Sequence, residues 1–280
     1  MPRTFGNTYI HIDEATHAYQ GPNEMFYMPD RPLTETDKMI GQYVADLIED
    51  GSTLQLGIGG IPNAVAAALR DKHDLGVHTE MLSDSLIDLY KAGIVTNHAK
   101  TIYKDKIVTA FSDGSQAASD FLDTTPNVLH LEVGHVNDPS VIRQNRKMVS
   151  VNTTLQIDLM GQCASEAIGT LQLSGTGGQT ETASGARQSK GGKSIIALHS
   201  TANIKDESGE RRRISTILGV QPAGTVISLL RADVDYVVTE YGVASLRGAS
   251  LKDRAQELIG IAHPDYREWL TGEARKYYLI

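Results

Sequence analysis

Short apolar runs and helix-like segments alternate along the first half of the chain. Residues 53–58 form an apolar run typical of a buried strand, and the segment that starts at Pro62 carries apolar residues at helical spacing. The same succession recurs after strand-like runs at residues 77–81 and 106–111. Strands that alternate with helices predict a parallel sheet with helical crossovers. The predicted fold class is therefore α/β, an open, mainly parallel sheet with helices on both faces.

The other elements are predicted from the same two periods. After Thr34, an acidic first turn and apolar residues at helical spacing predict an amphipathic helix that ends at Gly51. Further helices are predicted at 84–92, 116–122 and 251–261, the last closing the chain, and further strands at 128–133, 148–151, 194–198, 225–229 and 236–238. Residues 161–192 are rich in glycine, serine and threonine and predict a long functional loop with little room for a core element. Residues 1–33 lack a clear period and predict an extended arm before one domain at 34–280.

Composition and charge exclude several functions. The net charge is −8, and the one basic run, at residues 211–213, lies in a polar stretch that predicts a solvated loop, so no nucleic-acid partner is expected. The single cysteine, Cys163, allows no internal disulfide and favours a reducing compartment. We find no leader pattern and no apolar run of roughly 18 residues, and therefore expect a soluble cytoplasmic protein without a membrane partner. The nine histidines lack metal-ligand spacing, so no metal is predicted.

A glycine turn and a glutamate form the first candidate site. The turn Gly57, Ile58, Gly59, Gly60 and Ile61 lets a ligand approach the backbone, and free amides at the start of the next helix favour a phosphate. Glu80 ends the following strand. Its spacing from the turn fits the ribose-binding acid of a dinucleotide site, although Pro62 replaces the third glycine of that motif. Alternatively, a carboxylate at a strand end acts as a nucleophile or caps the next helix. Asp84 is the more natural cap for that helix, which leaves Glu80 available as a nucleophile.

A second glycine cluster and two polar residues complete the candidates. The segment Ser174-Gly175-Thr176-Gly177-Gly178-Gln179 is able to form a nest of amide donors for a phosphate or an oxyanion, and it also fits a tight loop. Asn137, before Asp138 and Pro139, fits both a helix cap and a ligand contact. Glu240 ends an apolar strand and fits both a site residue and a sheet-edge acid.

Taken together, these motifs resemble the acetyl-CoA hydrolase/transferase family over nearly the whole chain. The segments that carry the resemblance are Leu-Gln-Leu-Gly-Ile-Gly-Gly-Ile-Pro-Asn-Ala-Val (54–65), His-Thr-Glu-Met (78–81), Ser-Gly-Thr-Gly-Gly-Gln (174–179), Val-Val-Thr-Glu-Tyr-Gly (237–242) and Ile-Ala-His-Pro-Asp-Tyr-Arg (261–267). Within the family, the likeness is greatest to the branch of 4-hydroxybutyrate CoA-transferase and butyryl-CoA:acetate CoA-transferase. Two segments depart from the family pattern. One is the segment directly after Gln179. The other is the segment after Ser-Thr-Ala (200–202), where relatives often carry a lysine; here Lys205 lies in a longer loop, and no role is assigned to Lys205.

The resemblance implies a CoA-transferase fold and a function for each candidate. Glu80 would form a glutamyl-CoA thioester, and the Asn137 amide and the Gly178 backbone would form an oxyanion hole. The implied contacts to coenzyme A, the only cofactor expected, are Gly57, Ile58, Gly59, Gly60, Ile61, Ser174, Gly177, Gly178, Gln179 and Glu240. The implied substrates are an acyl-CoA and a short-chain carboxylate. Acyl-CoA hydrolysis at the same site is the alternative.

The resemblance also has consequences for assembly. The family normally carries a further N-terminal α/β domain, whereas this sequence begins about where the second domain of the family begins, which implies a fragment or one subunit of a split enzyme. We expect a homo-oligomer. An N-terminal-domain subunit is a candidate partner, and a chain without activity by itself is the second alternative. The aromatic arm around Tyr19, Phe26 and Tyr27 would either cover the interface with such a subunit or pack on its own domain.

Overall fold

A nine-stranded sheet organises the chain. The computed structural model describes residues 1–21, 27, 32–205 and 209–280. The described strands are β1 (Phe5–Gly6), β2 (Thr53–Leu56), β3 (Gly76–Leu82), β4 (Ile107–Ser112), β5 (Val128–His130), β6 (Met148–Thr153), β7 (Gln156–Asp158), β8 (Cys163–Ala164), β9 (Ala167–Ile168), β10 (Leu171–Gln172), β11 (Lys193–Ala197), β12 (Thr201–Lys205), β13 (Arg211–Ser215), β14 (Ile217–Leu218), β15 (Tyr236–Thr239) and β16 (Gly242–Ser245). The described α-helices are α1 (Glu35–Asp46), α2 (Gly60–Ala68), α3 (Asp84–Lys91), α4 (Gln116–Thr124), α5 (Val133–Val136), α6 (Pro139–Ile142), α7 (Gln179–Gln188), α8 (Leu251–Gly260) and α9 (Pro264–Lys276).

The strand order locates the ligand-binding edge. Across the large sheet the order is β1-β5-β4-β3-β2-β6-β11-β15-β16, and within it β16 runs antiparallel to β15 while the other described pairs are parallel. From β2 the chain adds β3, β4 and β5 on one side and then returns to add β6 and β11 on the other. The direction of winding therefore reverses between β2 and β6. Open α/β sheets bind ligands at the carboxyl ends of the strands beside such a reversal.

Apolar layers cover both faces of the sheet. Ile195 of β11 faces a core shared with α1 to α4, whereas its neighbour Ile196 faces a second core that includes residues of α7, α8 and α9. Successive side chains of a strand point to opposite faces, so this alternation shows that helices pack on both faces. The predicted fold class is confirmed.

Several predicted boundaries are corrected. Helix α2 begins at Gly60, two residues before Pro62. The strand predicted at 128–133 ends at His130, and α5 begins at Val133. The strand predicted at 225–229 is wrong, since the segment makes only an isolated bridge through Leu229. The helix predicted to close the chain ends at Gly260, and α9 follows it.

The polar segments were predicted least well. Residues 161–192 contain α7, whose buried side carries small residues such as Ala183, Gly185 and Ala186. The pattern lacked large apolar residues because α7 packs closely, with Gly185 against Ile142. The basic run at 211–213 is part of β13, which pairs with β12 in an exposed ribbon rather than lying in a loop.

The start of the chain follows the sheet edge. Within the predicted arm, β1 pairs in parallel with β5, and most of the other described residues up to Gly21 are exposed. Tyr27 donates a hydrogen bond to Gln116 of α4, whereas Phe26 lies outside the described residues. None of the helices in the described part of the chain combines the length and apolar content needed to span a bilayer.

Candidate active site

Glu80 lies near the carboxyl end of β3, beside the reversal between β2 and β6. The backbone around it is held on both sides: Thr109 of β4 donates to the carbonyl of Glu80 at 3.0 Å, and Thr79 donates to the carbonyl of Leu56 in β2 at 3.4 Å. Its side chain is half-buried. The prediction that Asp84 caps the next helix is wrong, because Ser83 is the N-cap of α3. Asp84 instead accepts hydrogen bonds from Ser115.

Asn137 meets Glu80 because two short helices share the junction at this residue. Asp138 is the N-cap of α6 and accepts from Ser140 N at 2.7 Å, so the capping role falls to Asp138. Asn137, the C-cap residue of α5, is thereby free to donate its amide Nδ2–H to Glu80 Oε2 at 2.9 Å. The structure thus gives the capping role to Asp138 and directs the Asn137 amide to Glu80, while a contact from Asn137 to a ligand stays a prediction.

Gly178 forms the third side of this site. It is the N-cap residue of α7, and a Cβ atom at this position would lie 2.0 Å from Glu80 Oε2 and 2.5 Å from Asn137 Nδ2. No side chain fits between the backbone and these two groups. Glu80, Asn137 and Gly178, which are far apart in sequence, therefore meet at one point.

The glycine turn lies at the end of the neighbouring strand. Gly57 N–H donates to the Val151 carbonyl of β6 at 2.9 Å, and Gly59, the N-cap of α2, has a φ of 110°, a conformation that favours glycine. Ile58 is 65% exposed at the tip. A Cβ at Gly60 would lie 3.3 Å from the carboxylate of Asp37, which also pairs with His199 Nε2 at 2.8 Å.

A buried polar cluster forms the floor under the turn. It consists of Gln55 on β2, Ser150 and Asn152 on β6, and Thr182 on α7. Gln55 Oε1 accepts from Ser150 Oγ at 2.6 Å and from Asn152 Nδ2 at 3.2 Å, while Ser150 Oγ and Asn152 Nδ2 both reach Thr182 Oγ1. Each side-chain nitrogen and oxygen of these residues has a partner, so the cluster fixes β2, β6 and α7 relative to one another.

The second glycine segment is open at one end and anchored at the other. Ser174 and Gly177 are exposed. Gln179 is buried, and its Nε2 donates to the Thr153 carbonyl at the end of β6 at 3.0 Å. Its Oε1 atom meets no donor among the described residues.

Glu240 occupies the turn between β15 and β16, and its carboxylate binds the protein itself. One oxygen accepts from Ser200 N at 2.9 Å and the other from Ser200 Oγ at 2.5 Å. Among the described residues, Glu240 forms no hydrogen bond or ion pair with Glu80, and it instead fixes the loop that follows β11.

Comparison with known proteins identifies the family. Residues 114–274 match the family model described as the acetyl-CoA hydrolase/transferase C-terminal domain, which covers more than half of the chain. The chain belongs to this family. Within the family, a 4-hydroxybutyrate coenzyme A transferase from Clostridium kluyveri is 45% identical over 278 residues, which are 99% of this chain and 63% of that protein.

Solved structures agree with the family assignment. RipA from Yersinia pestis superposes with a TM-score of 0.91 at 40% identity over 100% of this chain and 62% of that one. A 4-hydroxybutyrate CoA-transferase from Porphyromonas gingivalis gives a TM-score of 0.83 at 41% identity, over 99% of this chain and 64% of that one. The chain thus spans less than two thirds of these acetyl-CoA hydrolase/transferase relatives.

Not every candidate residue lies at the point where Glu80, Asn137 and Gly178 meet. The turn at 57–61 follows β2, the strand next to β3, and the loop at 174–177 directly precedes Gly178, whereas Glu240 binds Ser200. Sequence reasoning missed His78, which precedes Glu80 by two positions on β3, and His199, which pairs with Asp37 beside the glycine turn. The sequence did contain a signal for His78: it lies two positions before Glu80 on one strand, and residues at that spacing share a face of the sheet.

No group of three His, Cys, Asp or Glu side chains in the described part of the chain could hold a metal ion, and the expectation of no metal stays a prediction. Two cavities, of about 290 and 350 Å³, are both lined by Tyr103 and His135, and Glu80 is not among the residues that line them. The Glu80 side chain is half-buried, and the loop from Ser174 to Gly177, just before Gly178, is exposed.

The pKa of His78 predicts a pH-dependent stability. Burial, followed by the charge of Lys100, lowers this pKa from 6.5 to about 4, with His135 of α5 adding to the effect. Between these pH values the unfolded chain binds a proton that the folded chain does not, so the free energy of unfolding should fall as the pH falls. The loss should approach about 3 kcal/mol at pH 4.

Urea unfolding at pH 7 and pH 4.5 measures this effect. His78→Phe should reduce the difference between the two pH values, because phenylalanine does not titrate. His73→Gln, a change at an exposed histidine, should leave the difference as in the wild type. Equal pH dependence in all three proteins would contradict the assignment to His78.

Proposed function

We propose that the chain carries the catalytic half of an acyl-CoA:carboxylate CoA-transferase, of the 4-hydroxybutyrate or butyrate/acetate type. The meeting of Glu80 with the Asn137 amide and the side-chain-free Gly178 supports this function most strongly. A carboxylate at a strand end, with donors beside it, suits covalent transfer of an acyl group or a thiol.

The first half-reaction moves CoA onto the protein. A Glu80 oxygen attacks the acyl-CoA carbonyl carbon, and the C–S bond breaks to give a mixed anhydride and CoA thiolate. The thiolate then attacks the glutamyl carbonyl carbon, and the acyl group leaves as a carboxylate. The product is a glutamyl-CoA thioester on Glu80, formed without net uptake or release of a proton.

The second half-reaction runs the same steps backwards with a different acid. The acceptor carboxylate attacks the glutamyl thioester and expels CoA thiolate, which then attacks the acyl carbonyl of the new anhydride. Acyl-CoA leaves and the Glu80 carboxylate is restored. Each attack develops a negative oxygen, and fixed donors such as the Asn137 Nδ2–H contribute a few kcal/mol to its stabilisation.

Coenzyme A would bind along the two glycine segments. The exposed turn at 57–61 ends at the start of α2, where free backbone amides favour the diphosphate. On the other side, the loop from Ser174 to Gly177 is open, and a Cβ at Gly175 or Gly177 would meet no atom within 4 Å. In this proposal Glu240 acts indirectly, by holding the loop at Ser200.

Covalent trapping tests the proposed intermediate. The chain is incubated with butyryl-CoA and then treated with borohydride or hydroxylamine, and its peptides are analysed by mass spectrometry. We expect modification at Glu80 alone. An unmodified Glu80 during measurable turnover would overturn the mechanism.

Acyl-CoA hydrolysis at the same site is the second candidate, since the family model includes hydrolases by its description. The two functions differ only in whether water or a carboxylate takes up the acyl or glutamyl group. Formation of acetyl-CoA from butyryl-CoA and acetate indicates transfer, whereas free CoA released at the same rate without acetate indicates hydrolysis. The family match gives no support to the dinucleotide-binding alternative.

We also propose that full activity requires the part of the relatives that this chain does not span. Ile58 of the glycine turn and the loop from Ser174 to Gly177 are exposed in this chain, as expected of surfaces that a further domain covers. The expected partner is an N-terminal α/β domain, in the same polypeptide or a separate one, within a cytoplasmic homo-oligomer. Transfer rates and size measured with and without such a domain test this dependence.

A further inference from the structure

His78 is a buried histidine that the proposed mechanism leaves unused. It is 1% exposed and lies on β3 two positions before Glu80, so both side chains leave the same face of the sheet. Burying a polar ring costs free energy unless its nitrogen atoms have partners. The identity of these partners therefore indicates its role.

The ring of His78 joins β3 to the short helix α5. Its Nε2 lies 2.8 Å from the carbonyl oxygen of Val136, and since a carbonyl only accepts, Nε2 must carry the hydrogen. Its Nδ1 faces the amide Nδ2 of Asn145 at 3.5 Å, which suits a neutral ring with an unprotonated Nδ1. Burial, followed by the charge of Lys100, lowers the pKa of His78 to about 4, so the ring stays neutral at ordinary pH.

The hydrogen bond from His78 ends one residue before Asn137. These contacts close a ring. Backbone of β3 joins Glu80 to His78, and a hydrogen bond joins His78 to Val136. Val136 precedes Asn137 in the chain, and the Asn137 amide donates back to Glu80. Helix α5 has only four residues, and carbonyls at a helix end have no partner within the helix. The bond from His78 thus fixes the end of α5 from which the Asn137 side chain extends.

We propose that His78 is a positioning residue that holds the Asn137 amide against the carboxylate of Glu80. The inference rests on the proposed CoA transfer, in which that amide donates to the oxyanions. His78 touches neither the substrate nor the reacting atoms in this account. It acts through Asn137 alone.

Two substitutions separate positioning from simple packing. His78→Phe keeps a planar ring but removes the donor, and we expect kcat to fall roughly 10- to 100-fold with little change in the KM for butyryl-CoA. His78→Gln restores an N–H donor and should recover part of the loss. A packing role alone would lower the fraction of folded protein and leave kcat per folded molecule unchanged, which would overturn the proposal.

A double-mutant cycle tests whether His78 acts through Asn137. Once Asn137→Ala has removed the amide, adding His78→Phe should cause little further loss of kcat. Full additivity of the two losses would contradict positioning through Asn137.

A measurement without turnover keeps this inference separate from the proposed function. With asparagine labelled by ¹⁵N, the side-chain amide of Asn137 should show one proton shifted by its bond to Glu80 in the wild type. His78→Phe should move this signal, and an unchanged signal would overturn the positioning role. Absence of transfer in the wild type, with the signal still dependent on His78, would refute CoA transfer but retain the link to Asn137.

Discussion

Replacing Glu80 with glutamine should reduce CoA transfer by at least about 10⁴-fold, as expected when a covalent nucleophile is removed. Glutamine has nearly the same shape and still offers an oxygen to the Asn137 amide, 2.9 Å away in the wild type. The neutral amide, however, lacks the nucleophilic carboxylate and forms no thioester with CoA. The initial rate of acetyl-CoA formation from butyryl-CoA and acetate measures the loss.

The matched control is Glu268→Gln, an identical change at an exposed position of α9. This variant should transfer CoA at the wild-type rate. The Glu80→Gln variant should also unfold at nearly the wild-type urea concentration, because the half-buried side chain keeps its size. A Glu80→Gln enzyme with a substantial part of the wild-type rate would exclude Glu80 as the nucleophile.

Gly178→Ala should lower kcat by about 10²- to 10³-fold, the loss typical when one donor of an oxyanion site is removed or displaced. The added methyl group would lie 2.0 Å from Glu80 Oε2 and 2.5 Å from Asn137 Nδ2, so the hydrogen-bonded pair has to separate. The backbone itself tolerates alanine, because Gly178 has a φ of −95°. Steady-state kinetics and the trapped fraction of Glu80 measure the effect.

Gly175→Ala is the control within the same loop. No atom of the protein lies within 4 Å of a Cβ at Gly175, so this variant should keep nearly the wild-type kcat, and contact of the loop with coenzyme A would change only the KM for butyryl-CoA. Equal losses in the two variants would show that loop flexibility, and not the approach of Gly178 to Glu80, determines the rate.

The sequence predicted the central sheet because its signals are local. Strands such as β11 and β15 are largely buried, so they appear as short apolar runs, and helices such as α1 after Thr34 have clear caps. Helix α7 lacked such a signal because its contacts use small residues, for example Gly185 against Ile142. The exposed strand β13 lacked one as well, since an exposed ribbon needs no apolar face.

The sequence suggested members for the candidate site but not the contacts between them. Resemblance to the family pointed to Glu80, Asn137 and Gly178, and the structure brings them together. Nothing in the sequence showed that Asp138 takes the capping role and releases Asn137, because both residues are suitable caps. The binding of Glu240 to Ser200 depends on the distance between two separate loops, which no local pattern encodes.

The polar floor formed by Gln55, Ser150, Asn152 and Thr182 limits how such an enzyme changes its choice of acid during evolution. Since each member binds at least two of the others, a substitution at one of them leaves a buried polar group unpaired, at a cost of about 1–3 kcal/mol. New specificity is therefore expected to arise in the exposed rim, around Ile58 and the loop after Ser174, where a side chain changes without such a cost. We therefore expect the polar floor to stay unchanged among related enzymes while their substrates differ.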